Sequence, residues 1–81
     1  MSDRTKQFSI GNQNENEIKK IIILTYDALK EKGYNPISQI VGYILSEDPT
    51  YITNHHEART LIRKLDRDDL LQVLLRSYLD K

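Results

Sequence analysis

The chain has 81 residues, twelve Lys and Arg balanced by twelve Asp and Glu, and no cysteine. A chain of this size forms at most one small domain with a modest core, and balanced charge gives no general attraction to nucleic acid or anionic membrane. The absence of cysteine excludes disulfides, thiolate metal sites and thiol nucleophiles, and it favours a reducing compartment.

The opening MSDRTKQF has no apolar signal core, and IKKIIIL is too short and too charged at its entry to span a bilayer. The expectation is a cytoplasmic protein without membrane insertion. Residues 1–14 are polar, with only Phe8 and Ile10 as anchors, so they bury too little apolar surface to offset their ordering entropy. They are read as a flexible N-terminal regulatory tail, and residues 15–81 as an all-helical dimerisation domain.

Asn14 followed by Glu17 has the form of a capping box, and Ile18, Ile21, Ile22, Leu24, Thr25, Ala28 and Leu29 follow at helical spacing. Lys30, Lys32 and Gly33 supply the basic last turn and left-handed cap, which predicts a first helix over about residues 15–32. Asn35 then caps a second helix with Pro36 in its first position and Ile37, Ile40, Val41, Ile44 and Leu45 as its apolar residues. Asp48-Pro49 ends it, because the residue before proline is pushed out of helical geometry. Gly42, inside that helix, is read as tolerated or as a site of close packing within the protomer.

Tyr51-Ile52-Thr53 reads as a brief extended connection with an apolar anchor. Asn54 and Glu57 repeat the cap-x-x-acid pattern, predicting a third helix to about residue 65 with Ala58, Leu61, Ile62 and Leu65 inward. Asp66 and Asp69 repeat it again before a fourth helix to about residue 79. No glycine or proline divides these last two, so a bend at Asp66 is expected rather than a full separation. The fold class is therefore all-α, a compact domain of about four short helices.

Leu70, Leu71, Val73, Leu74, Leu75 and Leu79 cover more than half the circumference of the fourth helix. Either two sides are buried in the monomer or one waits for a partner. With so small a core, a homodimer through the second and fourth helices is the economical solution, with Ile40, Ile44, Leu71, Leu74, Leu75 and Tyr78 as interface candidates.

No catalytic motif, glycine-rich phosphate loop or metal-ligand spacing is present, so neither enzyme chemistry nor a cofactor is expected. His55 and His56 are the only imidazoles, and as adjacent helical residues they point apart, so a shared metal is not expected. The acids Glu47-Asp48 and Asp66, Asp68 and Asp69 suit helix N-termini. Arg59, Arg63 and Arg67, spaced by four with Lys64 nearby, form a basic stripe if the helix is continuous. The stripe reads first as a solvated face paired with acids, and second as a phosphate-binding surface. An alternative is a small helix-turn-helix-like nucleic-acid reader using that stripe, against which stand zero net charge and the apolar fourth helix. Thr5, between Arg4 and Lys6, and Ser2 are hydroxyls that a kinase could draw out.

The stretches GYNPISQIVGYILSEDPTYIT and NHHEARTLIRKLDRDDLLQVLLRSYL resemble the IreB family of small regulatory phosphoproteins of Gram-positive bacteria, over about residues 18–79. Its most specific parts here are GYNPISQIVGY, ARTLIRK and RDDLL, and Thr5-Lys6-Gln7-Phe8 fits the family's Thr-x-x-Phe segment. The resemblance implies a non-catalytic helical homodimer with a flexible arm, phosphorylated by a membrane eukaryotic-type Ser/Thr kinase that monitors the cell envelope. It implies Thr5 as the acceptor, with Ser2 standing where a second acceptor threonine stands. The implied partners are a second copy of the chain, that kinase with its cognate phosphatase, and a downstream protein tied to envelope stress or antibiotic tolerance.

Overall fold

The computed structural model describes residues 5–80, with side chains from residue 15 onward. Four α-helices follow in order: α1 (Thr5–Glu31), α2 (Pro36–Ser46), α3 (Ala58–Ile62) and α4 (Arg67–Leu79). Two 3-10 turns, Pro49–Tyr51 and His55–Glu57, lie between α2 and α3, and no strand occurs among the described residues.

The end of α1 is built as its residues predict. Gly33 takes φ +86, its amide bonds the carbonyl of Lys30 at 3.0 Å, and the amide of Tyr34 bonds that of Leu29 at 2.9 Å. Those two bonds form a Schellman motif, which satisfies carbonyls the helix itself leaves unpaired. The start differs from expectation. The helix runs on through Asn14 to Thr5, so Asn14 is not its cap. Of the segment expected to be a flexible tail, residues 5–14 continue α1, while residues 1–4, with Ser2, and the side chain of Thr5 lie outside the described residues.

Asn35 caps α2 as predicted, its Oδ1 accepting from the amide of Ser38 at 3.1 Å, with Pro36 in the first turn. The helix stops before Asp48-Pro49 through Glu47, which takes the left-handed conformation at φ 61. Asp66 likewise caps α4, accepting from the amide of Asp68 at 3.2 Å.

The third helix is shorter than its apolar spacing predicts. Residues 55–57 form a 3-10 turn, with His56 and Glu57 both at positive φ, and α3 has only five residues. Asn54 still caps it, but across the inserted turn: Oδ1 accepts from the amide of Thr60 at 3.2 Å, six residues on. After Ile62 a turn over residues 63–66 fully separates α3 from α4, where only a bend was expected.

The core lies between α1 and the three shorter helices. Ile18, Ala28 and Leu29 of α1 meet Ile40 and Tyr43 of α2, Ala58 and Ile62 of α3, and Leu70 and Val73 of α4, with Ile52 as the predicted apolar anchor. Leu29, Ile52, Ile62 and Leu70 are the largest completely enclosed apolar side chains, and truncating one of them to alanine costs about 2–5 kcal/mol.

Candidate functional site

The apolar residues of α2 divide between two faces. Ile40 and Tyr43 turn into the core and Ile44 packs against it, whereas Ile37, Val41 and Leu45, spaced by four, form an adjoining row that is exposed. Leu45 is 78% exposed and Ile37 62%. The same division occurs on α4: Leu70 and Val73 are buried and Leu74 packs against them, while Leu71, Leu75, Tyr78 and Leu79 are exposed. Isolated exposed apolar side chains are ordinary, but two helical rows of them are not.

Of the residues expected at an interface, Ile40 is buried inside the protomer, and Ile44 and Leu74 are partly buried against its core. Leu71, Leu75 and Tyr78 remain on the outside. Ile37, Val41 and Leu45 join them. The sequence signal for that row was present in the i, i+4, i+8 spacing, but the companion row through Ile40 and Ile44 has nearly the same spacing, and only tertiary packing decides which faces inward.

The arginine stripe is not assembled. It requires one continuous helix from Arg59 to Arg67, and the turn after Ile62 breaks it. Arg59, half-buried, donates through Nε to the carbonyl of Ile52 at 2.8 Å, which ties the start of α3 to the segment before it. Arg67 donates to the carbonyl of Ile44 and pairs with Glu47, which binds the first turn of α4 to the end of α2. Arg63 is exposed, and it lines with Arg67 an open cleft of about 440 Å³ shared with Tyr43, Glu47, Pro49, Leu65, Asp66 and Asp68. Two of the three guanidinium groups are thus committed to backbone carbonyls. The nucleic-acid reading loses the continuous basic face on which it rested.

The histidines also depart from expectation. His55 and His56 are not successive residues of a regular helix, and the left-handed backbone at His56 brings their rings to 4.1 Å between centroids. Both reach Glu31 at the end of α1: His55 Nε2 lies 2.8 Å and His56 Nε2 3.3 Å from the same Oε1. The hydrogen bond from His55 is the main cause holding the Glu31 carboxyl below its ordinary range. The convergence that helical geometry forbids is therefore produced by the turn.

Asp48 is a local anchor rather than a site. Its Oδ1 accepts from the hydroxyl of Thr50 at 2.7 Å and from the amide of Thr50 at 3.0 Å, and these bonds hold its carboxyl below the usual carboxylate range.

The described residues thus form a small helical body with two exposed apolar rows and open clefts. No described helix is long and apolar enough to cross a membrane. The family model for the IreB regulatory phosphoprotein matches residues 3–80, and this chain belongs to that family. It is similar to a UPF0297 protein of Ruminiclostridium cellulolyticum, 55% identical over 78 residues that cover 96% of this chain and 89% of the relative. A UPF0297 protein of Acetivibrio thermocellus is also 55% identical, over 80 residues covering 99% of this chain and 89% of the relative. The chain is thus a member of a regulatory phosphoprotein family, in agreement with the resemblance carried by its central motifs.

Proposed function

We propose that the protein is a non-catalytic cytoplasmic regulator that works as a homodimer and is switched by phosphorylation of its N-terminal segment on Thr5, with Ser2 as a second acceptor. The single observation that carries the reading is the family match over residues 3–80, which includes Thr5. The bare rows on α2 and α4 support the assembly of two copies, because their large apolar side chains are exposed in the single chain.

The modifying enzyme is a membrane eukaryotic-type Ser/Thr kinase, opposed by its phosphatase, and the output is altered contact with a downstream protein in envelope stress or antibiotic tolerance. A phosphate on Thr5 adds roughly −1.5 to −2 charges between Arg4 and Lys6. It acts by blocking that segment's docking or by drawing it to Arg63 beside the α2–α4 junction. The first route is favoured because Arg67, the neighbour of Arg63 in that cleft, is already paired with Glu47.

The test is incubation of the full chain with ATP and the catalytic domain of such a kinase, followed by mapping of the phosphate. The expected result is modification at Thr5 that Thr5→Ala abolishes. Modification confined to hydroxyls of the folded body, such as Thr50 or Thr60, contradicts the proposal.

A further inference from the structure

We propose that Glu31, His55 and His56 form a binding site for one divalent transition metal of the zinc, nickel and copper group. It is independent of the phosphorylation reading. The three ligand atoms lie within 4.8 Å of one another, and they come from two separate parts of the chain, the last turn of α1 and the 3-10 turn before α3.

Three features support this reading over a simple surface ion pair. First, the spacing fits a coordination sphere. Ligands about 2.0–2.1 Å from a tetrahedral metal stand about 3.3–3.4 Å apart, and the two Nε2 atoms lie 2.8 and 3.3 Å from Glu31 Oε1. Little movement separates the arrangement from one that encloses a metal. Second, the backbone is strained to achieve it. His56 and Glu57 occupy the left-handed region at φ 55 and 62, which non-glycine residues adopt only at some cost, and this is the turn that brings the two rings together. Third, the site is open on one side: Glu31 and His56 line, with Asp27, a hollow of about 400 Å³, which leaves room for water to complete the coordination sphere.

The donor set decides the class of metal. Two imidazoles with one carboxylate suit zinc, nickel and copper, whereas calcium and magnesium need a cage of oxygen ligands. To bind through Nε2 each ring carries its proton on Nδ1 instead, so the contacts of the two Nε2 atoms with Glu31 Oε1 give way to bonds with the metal. Bound there, the metal clasps the C-terminal end of α1 to the loop that leads into α3.

The experiment is calorimetric titration of the untagged full chain with zinc chloride and nickel chloride, with magnesium chloride as control, alongside thermal melts and NMR of the histidine rings. The expected result is one zinc or nickel per chain at micromolar concentration, shifts of both the His55 and His56 ring signals, and a melting midpoint raised by about 4–8 °C. His56→Ala and the milder Glu31→Gln each weaken binding by roughly tenfold or more while circular dichroism shows unchanged helix content. No saturation at micromolar metal, half a metal per chain, or full binding by a His55→Ala/His56→Ala variant overturns the assignment.

Discussion

The ring of Tyr51 lies directly on Gly42, so that a Cβ at position 42 would stand 2.5 Å from Cε1 and 2.6 Å from Cδ1 of the ring. Tyr51 is held there through its backbone, whose carbonyl accepts from Gln39 Nε2 at 2.8 Å. The packing inside the protomer expected for this glycine is therefore its role, and α2 accepts a weaker helix former to admit the ring.

In an open helix Gly→Ala gains about 1 kcal/mol. Gly42→Ala is expected to lose that gain, because the methyl expels the Tyr51 ring. Melting of Gly42→Ala, Tyr51→Ala and the double variant checks this as a double-mutant cycle. The alanine is expected to stabilise only once the tyrosine ring is gone; a full gain in the single variant contradicts the packing.

Thr25 is completely enclosed in α1, and its hydroxyl has no hydrogen-bond partner. An unpaired buried hydroxyl costs about 1–3 kcal/mol. Thr25→Val keeps the shape and removes the unpaired group, so the variant is expected to be more stable by about 1 kcal/mol, raising the melting midpoint by about 4–8 °C. A lowered midpoint would show that the hydroxyl has a partner in solution.

Signals carried by neighbouring residues were legible in the sequence. The caps at Asn35 and Asp66, and the Gly33 terminator, each depend on atoms a few positions apart, so the local sequence holds their whole cause. The apolar period marked α1, α2 and α4 for the same reason. The segment around His55 and His56 was not legible, because two successive left-handed non-glycine residues have no local signature. Asn54 shows how the pattern misled: it caps α3 as its type suggests, but its partner is Thr60, so counting three residues to Glu57 placed the helix start too early. The arginine stripe failed through the same shortening, since a spacing of four means one face only while the helix lasts.

Asp48 supplies the pH dependence. Its carboxyl is held below its ordinary value near 3.8, first by the Thr50 hydroxyl, then by the Thr50 amide, with a smaller contribution from Arg59. The folded chain thus binds this proton less readily than the unfolded chain does. The stabilising contribution is present above about pH 3.8 and is lost as pH falls through the lowered folded value. An NMR titration of the Asp48 carboxyl is expected to show a depressed midpoint, which Thr50→Val moves upward by removing the hydroxyl donor. An unchanged midpoint in that variant would assign the effect elsewhere.

Light scattering of the purified chain at micromolar concentration tests most directly the claim that this protein acts by contact through the bare faces of α2 and α4. The mass predicted is twice the 9.5 kDa of one chain. It is expected to fall to a single chain in Val41→Glu or Leu75→Glu, which place a charge on each exposed row without touching the core. A mass of one chain for the unaltered protein, at that concentration and well above it, would contradict the account.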